Sequence, residues 1–324
     1  MKKLFEFENI QCKDIDLKDE RFKISNETNN KVLEHSISQF GIMTPPLLLK
    51  KKGGFCVISG FRRIKASLQH GALQIEACVT DMADEMMCAQ IAVMDNSFQR
   101  SLSVSEQIRS VTLLSTYFSD PENNNEFFKA VSESLLIPNN KLYIKKLWQA
   151  SHLSESLMDL VAHERISLEV AVDLSLFDLE TQKMFHPFFL EFKISLSKQK
   201  EFVLFIREIA AREKLMARAV LEDVSRMVST HRDLQDKNAI FGMIRNCLYQ
   251  RRYPEITVAY NKHNDLVSRL KFPDTIKFMV PESFEGSTYQ IQFNFKTMTE
   301  LKQLNKKIEH ISNQPEMEMI LKRE

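Results

Sequence analysis

Two adjacent arginines, Arg62 and Arg63, follow a lone glycine in the run Val57-Ile58-Ser59-Gly60-Phe61-Arg62-Arg63-Ile64-Lys65-Ala66. An apolar strand pattern enters Gly60 and a helix pattern leaves it at once. The first turn of a helix carries unpaired N–H groups and partial positive charge, so paired arginines there are unfavourable unless an anion sits among them. Phosphate is the usual anion at a strand–glycine–helix junction. The same tetrad also suits a surface turn whose arginines pair with carboxylates, and by itself it leaves both readings open.

The elements that must position these arginines are legible on either side. Upstream, Ser36-Ile37-Ser38-Gln39-Phe40-Gly41 reads as a helix end closed by glycine, and Pro45-Pro46-Leu47-Leu48-Leu49 as a proline-led strand. Downstream, Gly71 to Val79 reads as a turn and a strand. A further helix ends in Asp95-Asn96-Ser97-Phe98-Gln99-Arg100, ahead of Ser103-Val104-Ser105-Glu106. In order and spacing, residues 1–110 resemble the N-terminal domain of the ParB family of chromosome and plasmid partition proteins, which shares its fold with sulfiredoxin. The resemblance implies a CTP site, with Mg²⁺, between two motifs. Gly60, Arg62 and Arg63 match the phosphate motif, and Asn96 matches the asparagine that helps hold the metal and the triphosphate. Asp95 stands where the family has glutamate, and Phe61 replaces a second glutamate. Gln99 takes the motif's arginine position, and Arg100 reaches for the same anion from one residue further along, turned by about 100°. Triphosphate binding is therefore expected, with CTPase activity weak at most.

Composition narrows the classes. A chain of 324 residues suggests two or three domains. A net charge of +1 supplies no global field toward nucleic acid, so such binding needs a local basic face. The five cysteines have no Cys-x-x-Cys spacing, which points to reduced thiols in a cytoplasmic protein and away from a metal site. No apolar run has the length of a membrane span, and the first residues lack a signal-peptide core.

From Glu106 to about Arg232 the pattern is helical, with breaks expected near Ser119–Asn125 and His186-Pro187. In its last helix Phe202, Phe205, Ile206 and Ile209 form a core stripe. Asn140 to Ala150 has the character of a DNA-reading helix. Tyr143, Ile144, Leu147 and Trp148 fall on one side, Lys141, Lys145, Lys146 and Gln149 on the other. The lysines suit phosphate, and Asn140 and Gln149 suit base edges. A solvated face on a bundle helix is the bland alternative. The position in the chain resembles the helix-turn-helix of the ParB family. Pro138 replaces the family's glycine, and Val170 and Val172 replace a histidine and an arginine, so a changed DNA target is implied.

After Tyr253-Pro254 the period becomes two. Ile276, Phe278 and Val280 form one strand, residues 281–286 a turn, and Tyr289, Ile291, Phe293 and Phe295 a half-buried strand. A capping box, Thr297 with Glu300, opens a final helix bearing Leu301, Leu304, Ile308 and Ile311. Such a strand-strand-helix end cannot cover its own sheet, which points to a homodimer.

The expected fold is therefore α+β: a ParB/sulfiredoxin-like nucleotide-binding domain (1–110), a helical helix-turn-helix domain (111–235), and a linker with a ββα dimerisation domain (236–324). Sulfiredoxin chemistry is excluded because Phe61 occupies the nucleophile's place. A nuclease lacks its metal cluster, with Asp81, Asp84 and Glu85 the one local acid group, read as a solvated loop. The function implied is DNA partition in the cytoplasm, on the nucleoid, with a CTP-like switch, DNA and a ParA-like Walker ATPase as partners. The alternative is a transcriptional regulator or interaction module that has lost nucleotide binding.

Overall fold

A computed structural model describes residues 4–26, 31–231, 236–279 and 288–322. They divide into two compact units, one built from the chain up to residue 210 with 215–223, the other from 211–214 with the chain from 224 onward.

The first unit opens with a mixed sheet. Strands β1 (Glu6–Gln11), β2 (Ile15–Asp16), β3 (Leu47–Lys51), β4 (Gly54–Ser59) and β5 (Gln74–Thr80) lie in the order β1-β5-β3-β4-β2. β1 runs antiparallel to β5 and β3 to β4, whereas β3–β5 and β2–β4 are parallel. The apolar runs of β3 and β4 occupy the middle, where both faces are covered. Helices α1 (Lys31–Phe40), α2 (Phe61–Gln69) and α3 (Glu85–Gln99) accompany the sheet. Leu48, Val57, Ile75 and Ala77 pack with Phe61 and Ile64 of α2 in one buried cluster, and α3 lies against β4. Gly41 closes α1 in the left-handed region, φ 71°, as its place in the sequence implies.

Helices α4 (Val104–Ser115), α5 (Asn125–Leu135), α6 (Lys141–Ala150), α7 (Glu155–Ala162), α8 (Leu168–Ser175), α9 (Leu179–Glu191), α10 (Leu196–Glu213) and α11 (Ala217–Thr230) follow. Polar side chains start several of them: Ser103, Asn124, Asn140, Ser167 and Asp178 each accept a first-turn N–H. The break at Ser119–Asn125 is present, between α4 and α5. The expected break at His186-Pro187 is not, because α9 runs through Pro187. An interior proline costs roughly 3 kcal/mol, and the aromatic burial around it offsets that. Phe185 and Phe189 are buried, and Phe188 stacks on Phe202 of α10 with centroids 4.1 Å apart. Phe202, Phe205, Ile206 and Ile209 are buried as expected, although α10 is followed by α11 and is not the last helix. Arg232 lies outside the described residues.

The second unit contains α12 (Lys237–Arg252), α13 (Pro254–Arg269), β6 (Ile276–Met279), β7 (Gln290–Phe293), α14 (Met298–Ser312) and α15 (Pro315–Lys322). Pro254 begins a helix of 16 residues, although the sequence pattern changes to period two at this point. Proline at the first helical position loses no bond, so it marks a start as readily as a stop. β6 and β7 pair antiparallel, Ile276 with Phe293 and Phe278 with Ile291. Val280 and the turn at 281–286 lie outside the described residues. Tyr289 and Phe293 are half-buried, but Ile291 is 39% exposed and Phe295, beyond the strand, 49%. The capping box of Thr297 and Glu300 forms, and α15 follows the helix that was expected to be final. Leu270, Ile311, Met317 and Ile320 make the local core.

Candidate anion cavity and helix-turn-helix

β4 delivers the chain to Gly60 at φ 100° and α2 begins at the next residue. The left-handed backbone is one reason for glycine. The other is Pro46: a Cβ on Gly60 would lie 2.7 Å from the Pro46 Cβ. The helix start has no side-chain cap, and its first residues line a cavity of about 260 Å³. Gly60, Arg62, Arg63, Asn96, Gln99 and Arg100 are among the residues that line it.

The cations of this cavity are braced from behind. Arg63 Nη1 donates to the carbonyls of Thr44 (2.6 Å) and Pro45 (3.3 Å), and its Nη2 lies 3.3 Å from Asp95 Oδ2. Burial draws the Arg63 pKa down and Asp95 pulls it back; an arginine nonetheless stays charged. Asp95 Oδ2 also accepts from Ser59 Oγ (2.5 Å) and Gln99 Nε2 (3.0 Å). Asp95 is therefore not on the cavity wall, as a nucleotide-contacting residue would be. It stands behind Arg63, where a carboxylate orients a cation without repelling a phosphate. Asn96 Nδ2 donates to Ala92 O (2.8 Å) and to Ser59 Oγ (3.4 Å).

Arg100 lines the cavity yet is already engaged. Its two terminal nitrogens meet Glu106 at 2.7 and 2.5 Å. Glu106, 3% exposed, also receives the N–H groups of Ser103 (3.0 Å) and Asn26 (3.2 Å) and completes the capping box of α4. Burial alone would raise its pKa; the Arg100 hydrogen bonds and the two backbone donors outweigh that and hold it at about 2. The Ser103-x-x-Glu106 spacing announces this box in the sequence, but nothing there announces its partnership with Arg100.

Thiol and acid chemistry find no support beside the cavity. Phe61 is buried, and burial together with Asp19 pushes the Cys56 thiol up to about 12. Asp84 caps α3 through the Met87 N–H, and Glu85 pairs with Arg21 at 2.8 Å. Asp81 and Asp84 lie exposed in the loop before α3, as expected, and Glu85 is exposed at the first residue of that helix. Among the described residues no group of three or more His, Cys, Asp or Glu could hold a metal ion. The donor set fits Mg²⁺ only as an ion carried mainly by phosphate oxygens, with the Asn96 amide oxygen as the protein's contribution.

α5 and α6 form the helix pair expected to read DNA. Their connection turns at Leu136, which takes the left-handed conformation, φ 55°. Ile144, Leu147 and Ala150 are buried against the bundle, and Tyr143 and Trp148 are half-buried. Lys141 and Lys146 are exposed, Lys145 and Gln149 half-buried. The lysines are loosely tethered: Lys141 to Asn125 Oδ1 (2.7 Å), Lys145 6.0 Å above the Phe128 ring, Lys146 3.9 Å from Glu169. Asn140 caps α6, its side-chain oxygen accepting the Tyr143 N–H and leaving its amide NH2 for other partners. Tyr143 Oη donates to Gln107 Oε1 of α4 at 2.7 Å, a link the helical pattern could not show.

A mixed sheet with a glycine-hinged strand–helix junction over a cavity, continued by a helical bundle, is the arrangement compared with known proteins. Residues 6–97 match the ParB N-terminal domain. The chain is 27% identical over 163 residues to the probable chromosome-partitioning protein ParB of Helicobacter pylori, covering 50% of this chain and 53% of that protein. It is 28% identical over 154 residues to the Campylobacter jejuni protein of the same name, covering 47% and 51%. It thus spans about half the length of the curated relatives it matches. A solved structure of the C-terminally truncated ParB of Caulobacter crescentus, complexed to the centromeric parS site, overlaps with a TM-score of 0.34 at 12% identity. It covers 60% of this chain and 98% of that one. The likeness to the ParB family is thus carried by residues 6–97 and by a divergent match to about half of each curated relative.

Proposed function

We propose that this protein binds DNA in chromosome or plasmid partition and that a nucleoside triphosphate, CTP by resemblance, occupies the cavity at Gly60. The observation that carries the reading is the convergence of Arg62, Arg63 and Arg100 on an uncapped helix start. A polyphosphate is the ligand that uses donors and charge together. Arg62 and Arg63 would hold phosphate oxygens, Gly60 would let them approach the backbone, and Asn96 would orient the amide oxygen toward a phosphate-borne Mg²⁺. Asp95, occupied by Arg63, Ser59 and Gln99, is poorly placed to activate water, which supports slow turnover at most. On α6, Lys141, Lys145 and Lys146 would track the DNA backbone and Gln149 would read bases.

The second unit would supply the homodimer, a role supported by the exposed Ile291 and Phe295 beside a two-stranded sheet. A ParA-like Walker ATPase as partner, a nucleoid location and the division at about residues 110 and 235 belong to the same proposal. Among the described residues no helix is long and apolar enough to cross a membrane.

The test is thermal melting of the full chain with CTP, ATP and GTP in the presence of Mg²⁺, since a ligand bound only to the native state raises the midpoint. One observation favours the second reading, a ParB-fold regulator without nucleotide: Arg63 and Arg100 are already neutralised by Asp95 and Glu106. No shift with any nucleotide at millimolar concentration would decide for it.

A further inference from the structure

Four residues, Arg100 to Ser103, join α3 to α4. Arg100, at one end, is shared between the cavity and Glu106. Near the other end, Leu102 O accepts from Gln107 Nε2 at 3.0 Å, and the opposite end of the same amide accepts the Tyr143 hydroxyl of α6 at 2.7 Å. The short connection is therefore bonded at one end to the proposed phosphate site and, through one side chain, to the proposed DNA-reading helix.

We propose that Glu106 is an internal anion that competes with a bound triphosphate for Arg100, and that its displacement is passed to α6 through Gln107 and Tyr143. The inference rests on the triphosphate reading. A phosphate chain in the cavity and Glu106 both demand the two-pronged face of one guanidinium, and that face serves one carboxylate or one phosphate at a time. When Arg100 turns to phosphate, Glu106 keeps the N–H groups of Ser103 and Asn26 and the Ser103 hydroxyl at 3.1 Å. The cap of α4 therefore survives, while a buried carboxylate loses its cation. That loss opposes nucleotide binding and sets its affinity. Arg100 Nη1 also holds the Ser101 carbonyl at 3.3 Å, so its turn releases the connection next to the Leu102 carbonyl that fixes Gln107. Gln107 and Tyr143 then re-pair or part, which is a discrete two-state change of the kind coupling requires.

The chain has a single tryptophan, Trp148, and it lies on α6. It packs edge-on to His152 (4.8 Å) and to Phe127 of α5 (6.3 Å), so its emission reports the helix-turn-helix directly. Full-length wild type, Glu106→Gln and Tyr143→Phe are titrated with CTP, ATP and GTP plus Mg²⁺, following Trp148 fluorescence and, independently, equilibrium dialysis. Glu106→Gln removes the charge and keeps one acceptor oxygen, for the N–H of either Ser103 or Asn26, and it should bind nucleotide more tightly by on the order of tenfold. Tyr143→Phe should bind as wild type does in dialysis while losing the fluorescence response. If Glu106→Gln does not fold by circular dichroism, Glu106→Asp, which keeps the charge and shortens the reach to Arg100, takes its place. Wild type silent with Glu106→Gln binding would support Glu106 as the blocking anion. Equal affinity in the two overturns the competition, and an unchanged response in Tyr143→Phe overturns the route to α6. Absence of binding in every variant overturns the triphosphate reading itself, and the inference with it.

Discussion

The cavity at Gly60 and the lysine face of α6 are both cationic, and they hold their cations in opposite ways. Arg63 and Arg100 are clamped by carbonyls and carboxylates at hydrogen-bond distance. Lys141, Lys145 and Lys146 have one amide, one ring and one acid at 3.9 Å between them. A fixed cation such as Arg63 suits an anion of defined shape, because little further ordering is needed when it arrives, whereas Arg100 must first leave Glu106. Loose ones suit a polyanion whose charges lie along a line, where many weak contacts add and salt competes with all of them. On the proposed reading the first arrangement suits a discrete anion and the second a nucleic-acid backbone.

The largest expected effect tests the rigid side. Gly60→Ala combines a disfavoured φ of 100° with a Cβ 2.7 Å from Pro46. It should destabilise the fold by about 3 kcal/mol in urea titration, the sum of a left-handed penalty and local overpacking. A loss below about 1 kcal/mol would mean that the turn relaxes freely and the cradle is soft.

Arg63→Ala against Lys146→Ala puts the comparison itself at risk. Removing Arg63 leaves Asp95 without its cation and two carbonyls without a donor, for about 2 kcal/mol after allowance for the partial exposure of the pair. Lys146→Ala should change stability by less than about 0.5 kcal/mol. It should instead lower the slope of log K against log[salt] for DNA binding by about one unit. Equal stability losses would erase the distinction, and an unchanged slope would take α6 off the DNA.

Acid titration comes next. Glu106 and Asp19 both titrate in the folded protein at about 2. Each is raised by burial and then lowered further by an arginine, Arg100 and Arg21 respectively. Their folded values lie below the unfolded ones, near 4. Their contribution is therefore complete above about pH 5 and is lost as pH falls toward 2. Glu106→Gln should flatten the fall in stability over that window, as measured by denaturant midpoints from pH 6 to 2. A slope equal to that of wild type would remove Glu106 as the carboxylate held by Arg100.

The sheet, the glycine turn and the core face of α6 were legible because each is written in neighbouring residues: an apolar run, a lone Gly60, a stripe at helical spacing. What the sequence hid was made by distance. Arg63 finds Asp95 32 residues away, and Tyr143 finds Gln107 36 residues away, contacts that no local period encodes. α13 was hidden for another reason. Its first residue is Pro254, and a proline reads as the end of a helical pattern as readily as its start. Pro187 misled because aromatic packing outweighs its local preference.

The smallest effect returns to the comparison through two left-handed residues. Gly60 must be glycine because Pro46 leaves no room. Leu136 holds the same backbone region in the turn from α5 to α6 without being glycine, and its side chain is 47% exposed. Its N–H and that of Ile137 reach back to Glu133 and Ser132, at 3.4 and 3.0 Å, which closes α5. The left-handed conformation penalises leucine by about 1–2 kcal/mol, whereas glycine relieves that but loses about 0.5–1 kcal/mol of chain entropy on folding. With little packing at stake, Leu136→Gly should stabilise the protein by about 0.5 kcal/mol. Its salt slope on DNA should be unchanged, since no lysine moves. A destabilisation would show that the exposed leucine is held by contacts that the turn requires, and the reader helix would then be as rigidly set as the cavity.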